Sequence, residues 1–205
     1  MHSELIKKFG EYLALLDQVQ GAANLARNDL AAEAIERLNQ LAFISNHLQE
    51  IDKQFGTMVM VTRTNQQGEI EHWNAAHERD GQLRFTMRLL TETYYYFAFR
   101  LRQILRNKTH PFRGLGTFDC PGVRDVRNHL IEHPEGATSR IFNRTFSWTQ
   151  ESGMHLKVGR QAWEGNAFSD SGFVANSREF NQNLASALDR ACEQLNHCEA
   201  EGDSD

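Results

Sequence analysis

The stretch LRFTMRLLTETYYYFAFRLRQILRN, residues 83–107, decides the fold. Leu83, Met87, Leu90, Tyr94, Phe97, Leu101, Ile104 and Leu105 recur at three- and four-residue intervals, the spacing of one face of an α-helix. Tyr94-Tyr95-Tyr96-Phe97 spreads aromatic bulk beyond that stripe. A helix that is apolar on several sides must touch more than one neighbour, so this one is expected at the centre of a helical bundle. The three prolines all lie between Pro111 and Pro134, which leaves the rest of the chain free to be helical.

Working outward, Leu5, Phe9, Leu13, Leu16 and Val19 predict an amphipathic helix over residues 3–20 with Ser3 as its cap. Asn28 or Asp29 opens a longer one, striped by Ala31, Ala34, Ile35, Leu38, Leu41, Ala42, Leu48 and Ile51 and stopped by Gly56. Residues 57–62 alternate like a strand but are too short to decide. Ile70, Trp73 and His77 predict a further helical piece before Asp80-Gly81. A Gly- and Pro-containing loop over residues 109–122 leads to a short helix over residues 122–132, with Pro121 near its first turn and Pro134 as its stop.

Phe146 and Trp148, then Met154, Leu156 and Val158, alternate on either side of Glu151-Ser152-Gly153 and predict a hairpin over about 142–158. Small and polar residues 165–172 read as a loop. Asn176 and Glu179 then form a capping-box pair ahead of a last helix over about 177–198, with Phe180, Leu184, Ala187, Leu188, Ala191 and Leu195 as its core stripe. The expected fold is mainly α: one helical-bundle domain over residues 1–198 with a small β-hairpin, then a disordered acidic tail over 199–205.

With 205 residues, 40% hydrophobic and 24% charged, the chain has an ordinary globular balance. No apolar run resembles a signal peptide or a membrane span. Cys120, Cys192 and Cys198 contain no C-x-x-C pair, so a reducing cytoplasm is expected and no disulfide framework is implied. The net charge of −5 is uneven. Residues 84–113 hold seven basic side chains against the single acid Glu92, while residues 164–205 hold two against nine acids. A local cationic zone favours an anionic partner at one site over a general nucleic-acid coat.

The short helix carries the chemistry, in VRNHLIEHPEG, residues 126–136. At about 100° per residue, Val123, Val126, Leu130 and Ile131 share a stripe that also holds Arg127. An unpaired guanidinium is costly on an apolar face, so Arg127 needs a reason to be there. His133 falls at the edge of that stripe, and the two can share a cleft. An Arg clamps phosphate through a planar fork of donors and a His moves protons near neutral pH. The same run spells H-x-x-E-H through His129 and His133, a zinc-peptidase pattern. Against zinc stand the Pro134 stop, the short chain and the lack of a third ligand, for which only Glu193 and Glu199 offer themselves downstream. No metal and no cofactor is expected.

Arg127, Asn128 and His133 resemble the motif of the HEPN superfamily, all-α proteins that include many ribonucleases: an Arg, a polar residue, and a His after four to six intervening residues. The long aromatic-rich helix and the Gly/Pro loop before the motif are similar as well. The resemblance spans about residues 3–135 and implies metal-independent RNA cleavage. The RNA 2′-hydroxyl attacks the adjacent phosphate, His133 acts as general base or acid, Arg127 stabilises charge on the phosphorane, and Asn128 orients one of them. It also implies a homodimer with a composite site, of toxin or defence type, with an antitoxin as one kind of protein partner. Arg100, Arg102, Arg106, Lys108 and Arg124 are then the candidates for guiding RNA phosphates, with aromatics for stacking. A plainer account competes. Arg127 pairs with a carboxylate at a helix junction, His133 bonds the helix C-terminus, the other arginines are solvated, and the chain is a non-catalytic interaction or dimerisation protein.

Overall fold

The structure, a computed structural model, describes residues 2–20, 25–55, 60–64, 70–74, 81–107, 112–127, 142–149, 153–164 and 167–202. In chain order these form α1 (His2–Gln20), α2 (Leu25–Phe55), β1 (Met60–Thr64), β2 (Ile70–Asn74), α3 (Gly81–Leu105), α4 (Pro121–Arg127), β3 (Phe142–Thr149), β4 (Gly153–Glu164), β5 (Ala167–Asn176) and α5 (Ser177–Gly202). Helix far exceeds strand, and the fold is mainly α.

The predicted stripes build the core. Leu5, Phe9 and Leu16 of α1, Leu38, Leu41 and Leu48 of α2, and Phe180, Leu184 and Leu188 of α5 are all buried. Their shared face is what turns helical spacing into stability, because apolar burial contributes about 25 cal/mol per Å² removed from water. Along the α2–α3 pair Glu33 meets Arg100 and Arg37 meets Phe97, so the helices run antiparallel. Between α1 and α5, His2 meets Asn181 and Lys8 meets Asp189, so the first and last helices run parallel. Central α3 fully buries Tyr94 and Tyr95. Their hydroxyls remain satisfied: Tyr95 Oη donates to the Ala175 carbonyl at 2.9 Å and Tyr94 Oη reaches Asn181 Oδ1 at 3.5 Å.

The described part of the Gly/Pro loop is a hydrophobic plug. Phe112, Leu115, Phe118 and Cys120 are buried, with Phe112 against Phe9 and Phe118 edge-on to Phe180. Two turns coil it: Leu115 N–H donates to the Phe112 carbonyl and Phe118 N–H to the Leu115 carbonyl, each at 3.0 Å. Gly114 makes the coil feasible. Its φ is +85°, and a Cβ there would stand 2.9 Å from the Ala191 Cβ on α5.

The described residues hold two small antiparallel sheets, β1–β2 and β3–β4–β5. The predicted hairpin is β3–β4, paired from Thr149↔Gly153 to Phe142↔Arg160 and continuing to Glu164. Two expectations are corrected. Residues 70–74, expected as helix, are strand β2, paired from Thr64↔Ile70 to Met60↔Asn74. A five-residue piece has too few turns for period 3.6 to separate from period 2, and the partner strand decides. Much of the expected loop at 165–172 lies in β5, bonded to β4 from Glu164↔Ala167 to His155↔Asn176. Its small polar residues have weak strand preference, and backbone pairing along β4 outweighs it.

Helix ends shift as well. α1 already includes Ser3, α2 begins at Leu25 ahead of Asn28, and α5 runs on to Gly202, past the expected tail start at residue 199. Pro121 is the first residue of α4, as its missing N–H permits. The remainder of the expected motif helix, residues 128–132, and the Pro134 stop lie outside the described residues.

Candidate functional site

α4 is anchored by one face. Val123 and Val126 are fully buried, while Arg124 and Asp125 are part-exposed on the other side. The described residues follow the helix as far as Arg127. The Arg127 side chain, Asn128, His129, His133 and Lys108 lie outside the described residues.

The remaining candidate arginines fall into two groups, because α3 points them in different directions. Arg102 and Arg106 converge on Asp119 just before α4. Arg102 donates from Nε at 2.7 Å and from a terminal nitrogen at 2.6 Å, both to Asp119 Oδ1, and Arg106 approaches the same oxygen at 3.2 Å. The Cys120 N–H donates to it too, at 2.9 Å. Burial opposes the Asp119 charge, yet the Arg102 hydrogen bond, the two guanidinium charges and the Cys120 N–H overcome it, so this carboxyl titrates below its ordinary range. The Arg102 guanidinium also lies over the Phe99 ring, 5.9 Å from its centroid. Arg124, one turn into α4, pairs with neighbouring Asp125 at 2.9 Å and feels the Asp119 charge.

Arg100 points away from this group, onto α2. It makes a two-pronged pair with Glu33 at 2.9 and 3.3 Å, and that hydrogen bond holds the Glu33 carboxyl below its ordinary range. Among the described residues, then, each candidate phosphate-guiding arginine already has a carboxylate: Glu33 for Arg100, Asp119 for Arg102 and Arg106, and Asp125 for Arg124.

Beside Asp119 opens a polar cleft of about 250 Å³ between the plug and α5, lined by Thr117, Phe118, Asp119, Asn183, Ser186 and Arg190. Sequence reasoning missed its α5 wall. The signal was present, because Asn183, Ser186 and Arg190 at i, i+3 and i+7 form a polar stripe behind the apolar one. Of the run of tyrosines, Tyr94 and Tyr95 are core and burial raises both phenol pKa values, whereas Tyr96 stands 45% exposed. The two described thiols are poor nucleophiles: burial pushes Cys120 up to about 11 and raises Cys192 as well. Among the described residues no group of three His, Cys, Asp or Glu side chains is placed to hold a metal, and no helix is long and apolar enough to cross a membrane.

Comparison with models of known families, with curated proteins and with solved structures gives no match.

Proposed function

We propose that the chain is a HEPN-like protein that binds RNA, and cleaves it without a metal, at the Arg127/His133 motif that begins in α4. The observation that carries this is the charge at the α3–α4 junction. Arg102, Arg106, Arg124 and the cleft-lining Arg190 stand there against Asp119 and Asp125, at the start of the helix that carries Arg127. Asp119 holds the two guanidinium groups of α3 together, so phosphates meet positioned donors with positive charge in excess. Arg127 then stabilises the phosphorane, His133 transfers protons, and Asn128 orients one of them.

Purified protein is expected to cut single-stranded RNA in EDTA and leave 2′,3′-cyclic phosphate ends. Arg127→Ala removes a transition-state donor, at a cost of about a hundredfold or more in rate. His133→Ala costs roughly 10²–10⁴-fold, while His129→Ala leaves the rate unchanged and so separates the two overlapping motifs. Cleavage that persists in both of the first two variants, or loss of folding in both, overturns the catalytic assignment.

One observation favours a second reading, a non-catalytic helical interaction or dimerisation protein in which the Arg127/His133 motif is structural: the carboxylate already present at every described candidate arginine. RNA affinity that is undetectable at low salt, where phosphate contacts are strongest, selects this reading.

A further inference from the structure

We propose that the polar cleft between the plug and α5 binds a guanine base, with Asp119 on the plug wall and Arg190 on the α5 wall. The observation is a small recess whose walls have unused hydrogen-bonding capacity. Arg102, Arg106 and the Cys120 N–H all reach Asp119 through Oδ1. Among the described residues Oδ2 has no donor, and the Asp119 side chain is 36% exposed. A carboxylate oxygen has two lone pairs, so Oδ2 can take two N–H groups. On the facing wall stand Asn183, Ser186 and Arg190 of α5. Unlike Arg102, Arg106 and Arg124, Arg190 pairs with no carboxylate among the described residues.

Guanine matches this set of donors and acceptors. It presents N1–H and N2–H on adjacent nitrogens, with O6 and N7 as acceptors beside them. The two N–H groups suit Oδ2 and the two acceptors suit the fork of Arg190, while the Asn183 amide and Ser186 hydroxyl serve either edge. Adenine, cytosine and uracil each lack the pair of donors on adjacent nitrogens. Charge favours a neutral group. Asp119 already holds two guanidinium groups, so a cationic ligand is repelled. A phosphodiester offers acceptors alone and meets the lone pairs of Oδ2 inside the cleft. Size agrees as well. Drug-sized ligands occupy roughly 300–1,000 Å³, and a cleft of about 250 Å³ takes something smaller, such as one fused-ring base. The ring chemistry is the same in a free nucleotide and in RNA. Recognition of the base uses neither Arg127 nor cleavage, so it stands or falls apart from the ribonuclease reading.

The test is equilibrium binding to the full-length chain in EDTA. The probes are the 5′-monophosphates of guanosine, adenosine, cytidine and uridine, and an oligouridine with and without one central guanine. Guanine is expected to bind about tenfold or more tightly than the other bases, the discrimination of one good bidentate pair. Inosine monophosphate lacks the N2 amino group and should lose about tenfold or more of the guanosine affinity. Arg190→Gln should lose a comparable factor. Arg190 is exposed on α5, so this variant should melt as wild type does. A preference seen in the oligomer alone assigns the base to RNA, and one seen equally in the monophosphates assigns it to a free nucleotide. Equal affinity for all four monophosphates, with no guanine preference in the oligomer, reports phosphate contact only and overturns the proposal. So does a guanine preference unchanged in Arg190→Gln. RNA cleavage without any guanine preference would leave the ribonuclease reading standing and sink this one alone.

Discussion

At the scale of single residues, Gly114 carries a backbone requirement that no L side chain meets comfortably. Its φ of +85° and the 2.9 Å approach to Ala191 both penalise a Cβ. Gly114→Ala should therefore destabilise the protein by about 1–3 kcal/mol, read as a lower midpoint in urea with an unchanged slope. An equal or higher midpoint would show that the plug and α5 separate at little cost. His2 is a buried titratable group whose protonation bears on stability. Burial, then the nearby amino terminus, lowers its pKa from 6.5 to about 4, and its ring receives the Asn181 amide at 3.2 Å while meeting Tyr94 edge-on. The folded state thus holds this proton more weakly than the unfolded one. Stability from this group is full above pH 6.5 and is lost as pH falls through about 4. The melting temperature should drop across that window, and the drop should be shallower in His2→Phe. Identical profiles would place the His2 ring in solvent.

At the scale of elements, helices were legible because their signal is local. The Asn176–Glu179 pair caps the helix: the Glu179 N–H donates to Asn176 Oδ1 at 2.6 Å, and the Glu179 carboxylate returns to the Asn176 side chain, accepting from Nδ2 at 3.1 Å, where a capping box would take the backbone N–H. Asn176→Ala should cost about 1 kcal/mol in thermal unfolding, and Asn176→Asp much less, since aspartate keeps the accepting oxygen. Equal losses in the two variants would argue against the cap. Strands were less legible. Only β3 and the first half of β4 alternate clearly, whereas β2 and β5 exist because a partner strand bonds them. The plug escaped sequence reading for a related reason. Its glycines and proline signal a loop, while the burial of Phe112, Leu115 and Phe118 depends on α1 and α5 being there to receive them.

For the molecule as a whole, the periodicities in the chain determined that it is mainly α, the positions of its long helices and most of the residues each turns inward, although Ile35 of the α2 stripe stands exposed and residues 70–74 are strand. Those properties follow from angles between near neighbours on one helix, and spacing reports such angles directly. The candidate site was legible as a set of residue types: a cationic zone ahead of an Arg and His motif. The electrostatic state of that zone was not. The carboxylate that holds Arg102 is 17 positions away and the one that holds Arg100 is 67 positions away. The parallel placement of α1 and α5, the strand partners of β2 and β5, and the exposure of Phe43 and Phe85 were likewise decided by tertiary structure alone. Each is a relation between segments distant in sequence. It is set by which surfaces pack together, and no local spacing encodes it.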